Sequence, residues 1–368
     1  FNGAPGLKVD VDHTNPLAYL QLLLTGEVIE KISRDTPVRE QPAPFSRSGT
    51  WKVTKDGMWE FLGLIILQGV VGKPLEMVWT TNKLLATPFF STVVSEYRFS
   101  QIMKFFHFTN NEEFDETTHP ASKLKKIWEV SQMIGKSSRY VPERDIGIDE
   151  SLVVYKGRLA IQYIASKRAF GIKSYMLCER QGYIWNLVIY TRKGTKFKST
   201  ATMEWQRLVL TLIEPLLNQG YCVTTVNFYT SPELYEFLMK NKTDAYGTVR
   251  ANRCDMPNVW QQLKTGEMVA WQKGKMVALR WRDKKDVCLM STVHTTSTVM
   301  VRTKGGQEVM KPQVVTDYNK TGGGVDRADQ ALTFYPAMWK QQKKHYKKIF
   351  RYLFAMLNAY ILHKSDKP

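Results

Sequence analysis

No C-x-x-C pair occurs in these 368 residues, and Cys178, Cys222, Cys254 and Cys288 stand apart from one another and from any histidine at ligand spacing. That scatter excludes a disulfide framework and a structural zinc site. Long apolar runs are missing too: a stretch such as Phe61 to Val71 is interrupted by Gly63 and Gly69 and falls short of a bilayer span. The chain shows no signal-peptide pattern, internal repeat or low-complexity tract. It also has neither a Gly-x-Ser-x-Gly elbow nor a phosphate-binding P-loop, which disfavours a triad hydrolase and an NTPase. Acids are scarce beside bases, 34 Asp+Glu against 52 Lys+Arg, for a net charge of +18. Such an excess draws a polyanion by long-range attraction and counterion release, so the expectation is a nuclear protein of a reducing compartment, with no membrane and double-stranded DNA as partner.

Apolar side chains are plentiful at 43%, and the length suits two or three domains. The first third reads as helical. Asn15-Pro16 is a capping residue followed by proline, after which Leu17, Leu20, Leu24 and Val28 recur every three or four residues. Further stripes at Met58/Phe61/Leu62/Ile65/Ile66, Ile102/Phe105/Phe106 and Leu124/Ile127/Ile134 predict three more helices. From Arg144 the pattern changes to short β-branched and aromatic runs at Ile146–Val154, Ser174–Glu179, Ile184–Tyr190, Tyr221–Val226 and Ala245–Val249. Helical spacing returns at Leu208–Leu216 and Pro232–Met239. Three strands, a helix, a strand, a helix and a strand is the order of an RNase H-like domain. Hairpin-like runs follow up to Pro312, and beyond Trp339 one long amphipathic helix is predicted with Tyr346, Ile349, Phe350, Leu353, Phe354, Leu357 and Tyr360 on its apolar side.

Three segments carry the chemistry: Ile146-Gly147-Ile148-Asp149-Glu150-Ser151, Val223 through Ser231, and Gly323-Gly324-Val325-Asp326-Arg327-Ala328-Asp329-Gln330. Together and in this order they resemble the blocks around the catalytic aspartates of piggyBac-type DDE transposases. The Phe106-His107-Phe108 stretch with Asn110-Asn111 resembles another segment of that family. In the family the middle block reads Asp-Asn-Trp-Phe-Thr-Ser, and Val226 stands at its aspartate position here. The resemblance implies an α+β fold: an RNase H-like core (144–253, completed by 313–335) with a β-rich insertion (254–312). A mostly helical dimerisation and DNA-binding domain, built from residues 1–143 and 336–368, would flank it.

The same resemblance makes Asp149, Asp326 and Asp329 vestigial catalytic acids, with Asp149 and Asp326 as metal ligands, since hard divalent ions favour carboxylate oxygens. No acid occurs from Asn218 through Thr230 to replace the missing one, and Glu233 and Glu236 follow in the next helix. No cofactor is then required, and Mg²⁺ would bind weakly at best. Thr248-Val249-Arg250-Ala251-Asn252-Arg253 matches a family segment that approaches DNA, which nominates Arg250 and Arg253 for phosphate contacts. Lys340, Lys343, Lys344, Lys347, Lys348 and Arg351 fall within twelve residues without an acid. Opposed by the apolar stripe, they would present a phosphate-tracking face outward. Gly322-Gly323-Gly324 suggests an anion-cradling loop at a helix start.

Three functions remain open at this stage: a DNA-binding descendant without strand transfer, an active metal-dependent enzyme with a substitute ligand, and a protein-interaction scaffold. A homodimer and an additional N-terminal interaction module outside these residues complete the expectations, because relatives carry such modules.

Overall fold

The structure, a computed structural model, describes residues 1–39, 50–110, 115, 119, 121–136, 139–155, 157, 159, 161, 163–164, 170–192, 195, 197, 203–257, 262–303, 305–334, 344–352 and 356–366. Strand Asp145–Val154 pairs antiparallel with Phe170–Glu179, which pairs antiparallel with Ile184–Ile189. Gly182, at φ +94°, takes the left-handed conformation in the turn between the last two. Helix Glu204–Ile213 then carries the chain across the sheet, and strand Cys222–Thr225 lies parallel to the first strand. A second crossover, helix Pro232–Lys240, sets Asp244–Thr248 parallel to Cys222–Thr225. Parallel neighbours require such crossovers, so the alternation of helix and strand in the sequence dictates this arrangement.

The spatial order of these five strands is third, second, first, fourth, fifth. Strands Met268–Lys273, Met276–Arg282 and Asp286–Ser291 continue the same sheet antiparallel from Asp244–Thr248, and the short strand Tyr163–Ile164 pairs antiparallel with Phe170–Glu179, giving nine strands among the described residues. Most of the hairpin-rich segment is thus hydrogen-bonded to the core sheet, and Thr298–Arg302 with Glu308–Pro312 forms a separate hairpin.

Ile146, Ile148, Tyr175, Leu177 and Val223 bury one sheet face together with Leu208, Leu212 and Leu234 of the crossover helices. On the opposite face Met176 and Cys178 pack against Val325 and Ala328 of helix Gly324–Phe334. A helical body lies beside the sheet and draws on both ends of the chain: Tyr19, Leu24, Phe61, Phe99 and Phe106 share one core with Tyr346, Phe350 and Leu362. The Tyr19 hydroxyl donates to Asp366 at 2.6 Å, and Phe108 stacks on Phe350 with centroids 4.4 Å apart. This is the α+β, RNase H-like architecture expected from the sequence.

Two helices differ from expectation. The first stops at Leu23 with Leu17 49% exposed, and a new helix, Gly26–Arg34, starts behind the Thr25 cap. At the other end the described residues form the helices His345–Tyr352 and Met356–Ser365, and Leu353 and Phe354 lie outside the described residues. Tyr360, expected on the apolar stripe, is exposed, while Ile361 and Leu362 are buried.

Candidate functional site

The parallel pairing of the first and fourth strands ends at Ile148 opposite Thr225, so the next residues on the two strands are Asp149 and Val226. Asp149 stands across from Met176, on the face covered by helix Gly324–Phe334. That helix docks closely because Gly324 has no side chain: a Cβ there would fall 2.4 Å from the Glu179 carbonyl oxygen. Docking brings Asp326 and Asp329 to the strand, where the Ser151 hydroxyl donates to Asp329 Oδ1 at 2.6 Å.

Burial raises the Asp149 carboxyl to about 6; the carboxylates of Asp326, Glu150 and Asp329 add to the rise, and the Glu150 N–H, donating at 2.7 Å, opposes it. Three acids remote in sequence thus act on one another. Among the described residues no group of three or more His, Cys, Asp or Glu side chains could hold a metal ion, and Val226 offers no donor atom.

Glu150 points to the other face. Lys173 meets its Oε1 at 2.8 Å and the Tyr229 hydroxyl donates to the same oxygen at 3.4 Å. The Lys173 ammonium is buried 4.7 Å from the centre of the Tyr163 ring, 4.8 Å from Tyr175 and 6.0 Å from both Tyr190 and Phe228. Sequence reasoning missed this cage. Its one available signal was a lysine in register with inward-facing Tyr175 in a strand otherwise rich in apolar residues.

The loop after Val226 is tightly held. Val226 O accepts from the N–H groups of Tyr229 and Thr230, and the Thr225 hydroxyl bonds Thr230 at 2.7 Å and Tyr235 at 2.9 Å. Arg253 closes it by donating to the carbonyls of Thr230 at 3.0 Å, Asn227 at 3.0 Å and Phe228 at 2.5 Å. Its guanidinium also lies 4.9 Å from the Trp205 ring. Arg253, expected to reach DNA phosphate, is therefore engaged in fixing this loop, whereas Arg250 is exposed.

One member of the lysine run, Lys347, is corrected more strongly. Lys340 and Lys343 lie outside the described residues, as does the Arg351 side chain. Lys344 is exposed. Lys348 is half-buried, 5.5 Å from the Tyr155 ring. Lys347 is only 4% exposed and donates to the Met103 carbonyl, so it cannot belong to an outward face. Burial drives its ammonium down to about 8, and Lys344 adds to the fall. The reason is tertiary: the helix buries the flank bearing Lys347 against the end of helix Glu96–Phe105, whose last-turn carbonyls lack intrahelical partners. The three glycines likewise serve packing, with Gly324 against Glu179 and Gly323 beside the Arg327 guanidinium.

A five-stranded mixed core in this order, with an acid on its first strand and two more on a helix laid across it, defines the RNase H-like core of the DDE transposases. A family model described as Transposase IS4 matches residues 15–360, and the chain belongs to that family, as a piggyBac transposase-derived protein. It is similar to human PiggyBac transposable element-derived protein 3, at 29% identity over 96% of this chain and 62% of the relative. It is also similar to human PiggyBac transposable element-derived protein 2, at 25% identity over 82% of this chain and 54% of the relative. The chain therefore spans less than two thirds of either relative's length. The cryo-EM structure of a piggyBac transposase synaptic complex with hairpin DNA shares the fold, with TM-score 0.82 and 21% identity over 99% of this chain and 78% of that one.

Proposed function

We propose that this protein binds double-stranded DNA in the nucleus and neither cleaves nor joins it. The observation that carries the reading is the register of the central strands, which makes Val226 the neighbour of Asp149. Strand transfer by two metal ions needs several carboxylates to hold the ions about 3.5–4 Å apart around the phosphate. Valine supplies none of the oxygens. Of the other acids, Glu150 pairs with Lys173 on the other face, and Glu236 pairs with Lys273 at 2.9 Å.

Burial chiefly, with the carboxylates of Asp326, Glu150 and Asp329 adding to it, raises the Asp149 carboxyl to about 6, so that it takes up a proton near that pH. No metal is needed for the remaining function. The net charge of +18, the exposed Arg250 and Lys344, and the likeness to a transposase whose solved complex contains hairpin DNA support duplex binding.

The test combines two assays. Anisotropy with a labelled duplex at two salt concentrations, with and without Mg²⁺, should show binding that weakens with salt and ignores the metal. Supercoiled plasmid should stay intact in Mg²⁺ or Mn²⁺. Nicking that Asp149→Asn abolishes would overturn the loss of cleavage, and undetectable binding at low salt would overturn the DNA reading.

A further inference from the structure

The turn after Val226 presents one ring to solvent. Phe228 is 38% exposed, while Tyr229 and Thr230 on its C-terminal side are fully buried. A large exposed aromatic on a loose loop would need no explanation, but this loop is fixed by the Arg253 clamp, the two N–H bonds to Val226 O and the Thr225–Thr230 bond. Phe228 is also braced by Tyr229, which meets it edge-on at 5.2 Å and 90°. The ring is thus held in place before any ligand arrives, so little ordering entropy opposes binding to it.

Over it stands the exposed guanidinium of Arg250, 5.8 Å from the ring centre, and the buried Lys173 ammonium lies 6.0 Å from the same ring. A fixed aromatic surface with a guanidinium over it matches one ligand chemistry closely: a nucleobase to stack with the ring and the guanidinium, and its phosphate to meet the cation. A base inside an intact duplex has both faces covered by its neighbours, so only an unpaired or extruded base can use such a platform. The position agrees, because Phe228 lies two residues beyond Val226 and therefore at the end of the sheet where Asp149 sits.

We propose that Phe228 and Arg250 form a stacking site for one unpaired nucleobase, at the sheet end that carries Asp149 but on the side of the Lys173 cage; this rests on the DNA-binding reading above. The site tolerates any base, since every base has a π-face. It gives the protein a preference for duplexes that are bulged or locally opened.

The experiment compares the full chain on two labelled duplexes of the same sequence, one fully paired and one with a single unpaired adenine at its centre. The wild type should bind the bulged duplex roughly 5- to 150-fold more tightly, the range for stacking one base on an aromatic side chain. Phe228→Ala should erase that preference and leave the fully paired duplex bound within about twofold, because phosphate contacts dominate there. Phe228→Trp should retain the preference, and a thermal melt confirms that both variants are folded. Equal binding of the two duplexes by the wild type, or a preference that survives in Phe228→Ala, overturns the stacking site while leaving duplex binding intact. A wild type that binds neither duplex overturns the DNA reading and the stacking site with it.

Discussion

Replacing Lys347 with methionine should stabilise the protein at neutral pH and remove a gain in stability that the wild type shows in alkali. The Lys347 ammonium is almost wholly buried, donates to the Met103 carbonyl and lies 5.8 Å from the Phe106 ring centre. Its fall from 10.5 to about 8 means that the folded state disfavours the charged form. At about 1.36 kcal/mol per tenfold change this costs about 3 kcal/mol below pH 8. The unfolded chain binds the extra proton between pH 8 and 10.5, so the cost fades and stability rises through that window.

Methionine fills similar space with no charge to desolvate, but leaves Met103 O without its donor, at about 1–2 kcal/mol. The variant should therefore exceed the wild type by about 1–2 kcal/mol at pH 7, with the two curves crossing at about pH 9–10. Urea unfolding followed by tryptophan fluorescence at pH 7, 8, 9 and 10 measures this. Tyrosines titrate in the same range, so the informative quantity is the difference between the two proteins. A variant that is less stable at pH 7, by an amount that does not change with pH, would show that the ammonium is solvated and that the outward-facing reading of the lysine run was right.

Glu179 gives the opposite sign: it is buried beneath the Tyr140 hydroxyl at 3.0 Å and the Glu143 N–H, and burial raises its carboxyl from 4.5 to about 7. Wild-type stability should fall by up to about 3 kcal/mol as pH rises through that window, and Glu179→Gln should flatten the fall in urea midpoints between pH 5 and 8; an unaltered slope would refute the assignment. Val226→Asp should raise Mg²⁺ affinity in calorimetry and, without the metal, destabilise by about 1–3 kcal/mol, because Val226, next after the Ile148–Thr225 pair at the strand end, is partly buried against the core of the face opposite Asp149. No gain in Mg²⁺ binding would mean that position 226 does not face Asp149.

The strand and helix order of the core was readable in the sequence because each run has a clear period and a bounding turn. Asp149 falls on the first strand, Val226 just past the fourth, and Asp326 and Asp329 on a later helix, all as the motif order implied. Tertiary contacts were not readable. Lys347 sits on the polar side of a helical wheel, and nothing nearby in sequence announces that a carbonyl 244 residues away will meet it. Arg253 looks like any surface arginine until the Val226–Thr230 turn folds beneath it. The continuity of the hairpins with the sheet depends on Asp286–Ser291 pairing with Asp244–Thr248, a long-range choice of partner that local pattern cannot make.

The meeting of the two chain ends in the helical body sets an order on biosynthesis. Helices Pro16–Leu23 and Lys55–Val71 leave the ribosome early, yet the partners that cover them, including Phe350 and Leu362, emerge only after the whole sheet. At about 5–20 residues per second, the nearly 300 residues between them keep that apolar surface open for about 15–60 seconds. The sheet can close on itself meanwhile, since its strands are contiguous in the chain. A nascent chain stalled before residue 345 would thus carry a finished sheet beside an unfinished bundle, and would be a natural client for a chaperone that holds exposed helices.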